Sequence, residues 1–337
     1  MTLALVLLVG CFVATAVLTW LVLGMLRRRQ ILDHPNERSS HSRPTPRGGG
    51  LAVTPVVLLA LLVAGLTNPL APAAWTAALP AAAGLALLSW MDDRSPLPAR
   101  IRFLAQIAAV AFIMVLLPGW FRLTGLPLVA ERCLLGLALV WWINLYNFMD
   151  GIDGITGVET AGLGLGLAFS TLWLDMPGEA LMPGLALAGA AFGFLLFNWH
   201  PAKLFLGDVG SVPLGLVTGW LLIDLAARSG VVPAVILALY YGADATLTLL
   251  RRAVRGEKLW QAHREHFYQQ GIKRGLSHAW VSGAVALVQI GALLFAWAAL
   301  TTGALWPLFA QTVLVVLFLA WLAGWPAKGH KSSESKG

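Results

Sequence analysis

Asn144, Asn147, Asp150 and Asp153 recur at every third position in the stretch N-L-Y-N-F-M-D-G-I-D-G-I-T-G, residues 144–157. On a helical turn that spacing would set all four on one face. Charge is expensive there, because long apolar segments flank the stretch. An ionised Asp at a bilayer centre costs about 3 kcal/mol, so such groups sit at an interface, in a cavity or on a cation. A lone Asp reads equally well as an acidic loop, but four polar groups interleaved with Gly151, Gly154 and Gly157 point to a site.

Three other stretches carry chemistry. Asp92 and Asp93 close an apolar segment and precede R-S-P-L-P-A-R-I-R. Neighbouring carboxylates repel, so they call for a cation or a raised pKa. One can then hold a metal or its water while the other takes a proton. Asp208 stands between Gly207 and Gly210, with Ser211 following, where the next apolar segment begins. An Asp there suits a hard cation such as Mg2+ shared with phosphate oxygens, although a lone Gly-Asp pair reads more readily as a helix cap. In R-R-A-V-R-G-E-K-L-W-Q-A-H-R-E-H, His263 and His266 flank Arg264. Basic neighbours repel a metal ion, so an anionic diphosphate is the better guest, against the plainer reading of a solvated loop.

Residues 33–50 form another basic loop, too rich in Pro, Ser and Gly for a regular helix. Arg38, Arg43 and Arg47, with Gly48 to Gly50, suit an anion. Composition alone favours simple topology and contact with lipid headgroups.

These residues must be positioned by membrane segments. The chain has 337 residues, 58% hydrophobic and 12% charged, against about 25% charged in soluble domains. It reads as an all-α integral membrane protein, a polytopic helical bundle. Apolar runs long enough to span occur at 2–26, 49–66, 73–91, 103–117, 128–146, 157–174, 182–197, 209–227, 231–250, 278–299 and 304–324, about eleven in all. Arg27, Arg28 and Arg29 follow the first run and no basic residue precedes it, which reads as a retained anchor.

An N-terminus outside and a cytoplasmic C-terminus put all but Arg122, Arg132 and Arg228 of the 23 Lys and Arg on the cytoplasmic side. That orientation also brings Asp92, Asp93, Asp150, Asp153, Asp208, His263 and His266 to one face. In such a chain the net charge of +7 reports topology rather than nucleic acid. Residues 1–325 read as one transmembrane catalytic domain and 326–337 as a disordered tail. Cys11 and Cys133 lack metal-like spacing. Asp244 reads as a helix-pairing residue, and Asp224 as one that snorkels to the outer interface.

The stretches together resemble the polyprenyl-phosphate N-acetylhexosamine-1-phosphate transferases, glycosyl transferase family 4. The resemblance rests on Asp92-Asp93 with L-P-A-R-I-R and Gln106, N-x-x-D-G-I-D-G at 147–154, F-N-x-x-P-A-x-x-F-x-G-D-x-G-S at 197–211, and the His263/Arg264/His266 loop. It runs over residues 33–278 in order. The loops P-N-E-R-S-S-H and R-G-E-K-L-W-Q-A-H-R-E-H-F-Y-Q most resemble the branch that starts O-antigen or other surface-glycan synthesis.

The resemblance implies a reaction in which a UDP-N-acetyl sugar and undecaprenyl phosphate give the sugar diphospholipid and UMP. It further implies Mg2+, with Mn2+ as a substitute, on Asp208 and Asn147, and Asp150 and Asp153 lining the nucleotide region, Asp153 nearer the uracil. Asp92 and Asp93 would activate or position the lipid phosphate. Arg102, Lys203, Arg47, His263, Arg264 and His266 would face the substrates. The sequence departs from relatives at Pro96, where many carry Asp or Asn. The implied setting is the bacterial inner membrane, with membrane lipids around it, the site on the cytoplasmic face and a homodimer as the assembly. The runner-up readings are the muramyl-pentapeptide transferase of cell-wall synthesis and, in another class, a transporter or flippase.

Overall fold

The structure, a computed structural model, describes residues 2–33, 43–67, 73–119, 121–174, 181–259, 261 and 263–324. Arg38 and the tail 326–337 lie outside them. Eleven long helices fall where the apolar runs predict, among the described residues. They are α1 (Thr2–Arg28), α2 (Gly50–Thr67), α3 (Ala73–Arg94), α4 (Ala99–Leu116), α5 (Leu128–Phe148), α6 (Ile155–Trp173), α7 (Leu181–Asn198), α8 (Asp208–Ser229), α9 (Val231–Val254), α11 (His278–Thr302) and α12 (Trp306–Ala323). All of these but α3 meet both the length and the apolarity of a membrane span. The short α10 (Phe267–Lys273) was not expected and sits in the histidine loop.

The bundle is built around α8. Every residue from 209 to 226 is buried, against α2, α3, α5 and α9, as befits a helix apolar on all sides. The peripheral α1 instead turns Leu5, Val6, Val9, Val13 and Val17 outward, which a hydrocarbon solvent tolerates because it does not drive apolar faces together. Small residues allow close helix contacts, such as Gly164 of α6 lying against Gly184 of α7.

Buried acids away from the polar end each meet at least one donor. Glu131 accepts from Arg122 Nε at 2.7 Å. Glu159, an intramembrane acid that sequence reasoning passed over, accepts at Oε2 from Gln289 Nε2 at 2.5 Å, while its buried Oε1 has no hydrogen bond. Asp224 does not snorkel. It is fully buried, and Arg228, one turn on, donates to its two oxygens at 2.9 and 3.0 Å. With both oxygens satisfied locally, the carboxylate has no need of the headgroup layer.

The first basic loop contains a two-stranded ribbon, β1 (Leu32–Asp33) antiparallel to β2 (Thr45–Pro46). Beyond it the chain is stitched to the loop after α7. Phe205 N–H donates to Pro46 O at 2.9 Å, and the Gly49 and Gly50 N–H groups donate to Phe205 O and Leu206 O, both at 2.8 Å. This seam, joining segments remote in sequence, carries Arg47 to the start of α8.

Candidate active site

Three elements converge where α8 begins. A Cβ on Gly50 would collide with the backbone of Gly210, so glycine lets the starts of α2 and α8 touch. Gly207, at φ +76, makes the turn that delivers Asp208 as the first residue of α8. The last turn of α3 supplies Asp92 and Asp93.

Arginines knit these acids together. Arg47 Nη2 lies 2.6 Å from Asp208 Oδ1 and 3.1 Å from Asp93 Oδ1. Arg102 Nη1 lies 3.0 Å from Asp92 Oδ2 and 3.5 Å from Asp208 Oδ2. Asp93 Oδ2 also accepts the Val209 N–H at 3.2 Å, at the positive end of α8. The Leu97 N–H donates to Asp92 Oδ1 at 2.6 Å. Asp93 Oδ1 is buried and, despite the nearby guanidinium, has no hydrogen bond of proper geometry.

The four residues spaced by three do not share one helical face. α5 ends at Phe148, so Asn144 and Asn147 are helical while Asp150 and Asp153 follow in a loop, where spacing by three no longer sets direction. Asn144 donates to Gln106 Oε1 at 2.7 Å, and Asn147 Oδ1 accepts from Ser211 Oγ at 2.6 Å. Asp150 joins the arginine-knit group electrostatically. Burial, reinforced by Asp208 and Asp93, pushes its carboxyl up to about 6 against the opposing pull of Thr156 and Arg47.

Asp153 faces elsewhere. His200 Nδ1 is 2.6 Å from its Oδ2 and His278 Nδ1 is 3.2 Å from its Oδ1. Burial raises this carboxyl, but the hydrogen bonds of His278 and His200 outweigh it and hold the group below the usual range. Sequence reasoning missed both histidines. His200 fell on an unspecified position of the 197–211 motif and His278 beyond the basic loop, and only their approach to Asp153 marks them. Ser211, named beside Asp208 in the sequence, had been given no role.

The histidine loop packs against the C-terminal end of α5, with Tyr268 Oη donating to Phe148 O at 3.1 Å. His266 is buried and points inward, its Nδ1 3.3 Å from Asp244 Oδ1. Asp244 also accepts the N–H groups of Phe267 and Tyr268 at 2.9 and 3.1 Å. It pairs with a neighbouring element as expected, and that element is α10. The His263 ring lies 4.8 Å from that of His266. Burial, then His266 and Arg252, lower its pKa to about 4. Arg264 O accepts from Lys273 Nζ at 2.6 Å. Lys203 is held by its backbone, its N–H donating to Phe197 O at 2.8 Å. Its exposed side chain forms no ion pair among the described residues.

Comparison with known proteins places this arrangement. The model of glycosyl transferase family 4 matches residues 75–226. A decaprenyl-phosphate N-acetylglucosaminephosphotransferase of Mycobacterium tuberculosis is 31% identical over 314 residues, 78% of this chain and 75% of the relative. The chain belongs to glycosyl transferase family 4. A probable undecaprenyl-phosphate N-acetylglucosaminyl 1-phosphate transferase of Bacillus subtilis is 29% identical over 259 residues, 73% of this chain and 71% of that protein. A phospho-N-acetylmuramoyl-pentapeptide-transferase of Synechococcus is 30% identical over 230 residues, covering 60% of this chain and 63% of its own length. Within this family the matched segment contains the Asp92-Asp93 pair, the 144–157 stretch and Asp208, and this chain is a multi-pass membrane protein.

Proposed function

We propose that this member of the family transfers an N-acetylamino-sugar 1-phosphate from a UDP-sugar to undecaprenyl phosphate. The products are the sugar-diphospho-undecaprenol and UMP, the opening step of O-antigen-like surface-glycan synthesis. The observation that carries this reading is Arg47 bridging Asp93 and Asp208, with Arg102 joining Asp208 to Asp92. Carboxylates and guanidiniums gathered at one end of a membrane bundle suit two anionic reactants, one soluble and one lipid. The relatives' names support the same chemistry.

The donor set fits a hard divalent ion. Asp93 Oδ1 is a buried oxygen without a hydrogen bond, and Asp208, Asp150 and Asn147 offer further hard oxygen donors. Asp208 and Asn147 would hold Mg2+, for which Mn2+ can substitute. When bound, the ion neutralises the donor diphosphate and the departing UMP. Arg47 and Arg102 would then turn from the carboxylates to phosphate oxygens, offsetting the repulsion between an ionised lipid phosphate and the phosphate it attacks. Asp93, with Asp92 beside it, holds the lipid phosphate in line or takes its proton. Asp150 and Asp153 line the nucleotide region. Lys203, His263, Arg264 and His266 border it, with His266 holding its loop in place.

The site faces the cytoplasm of a bacterial inner membrane, where the UDP-sugar is found. A muramyl-pentapeptide donor is the second reading, favoured by the Synechococcus relative, although the Mycobacterium tuberculosis and Bacillus subtilis relatives are matched over more of their own length. A flippase is disfavoured because Glu131 and Asp224 are each held by an arginine. The deciding experiment assays membranes containing the protein with undecaprenyl phosphate and a panel of UDP-N-acetyl sugars, scoring UMP. Release dependent on both substrates is expected, and none with any donor would sink the reading.

A further inference from the structure

Tyr268 reaches from the histidine loop to the turn that carries Asp150. It is fully buried in the first turn of α10. Its own N–H is held by Asp244 Oδ2 at 3.1 Å, and its ring stacks on that of His266, centroids 5.7 Å apart and planes 17° from parallel. The phenol then crosses to another element. Its Oη donates to Phe148 O at 3.1 Å, the last carbonyl of α5 and one of those a helix end leaves without an intrahelical partner.

The fit behind that bond is close. A Cβ on Gly151 would fall 2.0 Å from Tyr268 Oη and 3.0 Å from its Cζ. Gly151 does not adopt the left-handed backbone that usually calls for glycine, so its missing side chain serves to admit the phenol. Asp150 stands between Phe148 and Gly151, the two points that Tyr268 touches. The turn is also short, with the Asp150 N–H donating to Asn147 O at 3.2 Å and the Gly151 N–H to Met149 O at 3.0 Å. Any displacement of the phenol therefore displaces Asp150. Both Asp150 and Arg264 lie near enough to act on the phenol electrostatically. A core tyrosine needs only a partner for its hydroxyl. This one also needs a glycine opposite, and that glycine is the neighbour of Asp150.

We propose that Tyr268 is a positioning residue, a strut that holds the Asp150 turn and the histidine loop in fixed relation to each other. Transfer between two anionic reactants depends on such fixed placement, since a small misplacement of the surrounding groups costs rate steeply. This rests on the nucleotide-sugar reading above and names a residue that keeps that site in register.

The test measures UMP release and limited proteolysis on the purified full-length protein, using undecaprenyl phosphate and the best UDP-sugar of the panel above. Tyr268→Phe keeps the ring and its stack and removes one hydrogen bond. Its kcat should fall about tenfold, the scale of that bond, with KM for the UDP-sugar within about twofold. Gly151→Ala should cost about a hundredfold, because the new Cβ drives the phenol away. The double variant decides between a strut and two separate defects. Tyr268→Phe removes the oxygen that the Cβ would strike, so Gly151→Ala with Tyr268→Phe should be more active than Gly151→Ala alone, whereas independent sites would multiply their losses. Multiplied losses would overturn the assignment, as would Tyr268→Phe at full rate or a KM that rises while kcat holds. Proteolysis reads the same coupling without substrate. Gly151→Ala should speed cleavage within 255–277, and adding Tyr268→Phe should slow it again. Wild type that releases no UMP with any donor would sink the donor reading, and cleavage would then decide the strut by itself. Protection regained in the double variant upholds it, and cleavage unaltered by Gly151→Ala overturns it.

Discussion

Arg47 donates to Asp208 at 2.6 Å across 161 positions of sequence. The same guanidinium nitrogen lies 3.1 Å from Asp93. Under the proposed reaction it guards the acids until substrate arrives and then binds phosphate. Arg47→Ala should lower kcat/KM by roughly a hundredfold, the scale of a lost charge-stabilising donor. Arg47→Lys should recover only part, because an ammonium cannot fork. Steady-state release of UMP measures both, and full activity in Arg47→Ala would remove the residue from the site.

Asp208 meets both arginines and begins α8. Asp208→Asn keeps the shape and removes the charge, so turnover should fall by about three orders of magnitude or more with expression near normal. Near wild-type UMP release with Mg2+ present would show the cation to be held elsewhere.

Asp150 sets a pH dependence whose sign follows from its raised pKa. The folded group holds its proton up to about 6, above the ordinary value of 3.8. Between those limits the folded state binds more protons than the unfolded one, so its contribution to stability is present at low pH and is lost as pH rises through 6. Without divalent ions, Asp150 should make the protein melt at a lower temperature at pH 8 than at pH 5, and Asp150→Asn should shrink the difference. Added Mg2+ should raise the melting temperature more at pH 8 than at pH 5, since protons and the ion compete for these carboxylates. Equal Mg2+ stabilisation at both pH values would exclude Asp150 from the ion's surroundings.

Asp244 accepts two N–H groups of α10 and faces His266. Removing one partner of a buried, hydrogen-bonded pair costs about 3–5 kcal/mol. Asp244→Ala should therefore loosen the histidine loop. Faster proteolysis within 255–277 is the expected signature, with nucleotide binding reduced as a consequence. An unchanged cleavage pattern would show that the loop does not depend on this contact.

Much of this was legible beforehand. The apolar runs predicted all eleven long helices because a bilayer imposes both length and composition on any segment that crosses it. The Asp pair, the 144–157 stretch and the Gly-Asp turn announced themselves as charge where charge is costly. Periodicity misled at Asp150 and Asp153, since spacing by three has directional meaning only while the helix lasts, and α5 stops at Phe148. Asp224 was misjudged because local pairing with Arg228 cannot be told from snorkelling without knowing which way each side chain turns.

The sequence by itself determined a polytopic helical bundle, its family and the inventory of acids, arginines and histidines, because hydrophobic length and motif order are one-dimensional properties. Only the tertiary structure decided which of those groups meet. Arg47 reaches Asp208 through a backbone seam between residues 46–50 and 205–206, His200 meets Asp153, and His266 turns inward to Asp244. Each meeting joins segments far apart in the chain, and a hydrogen bond requires proximity in space, which spacing along a sequence does not encode.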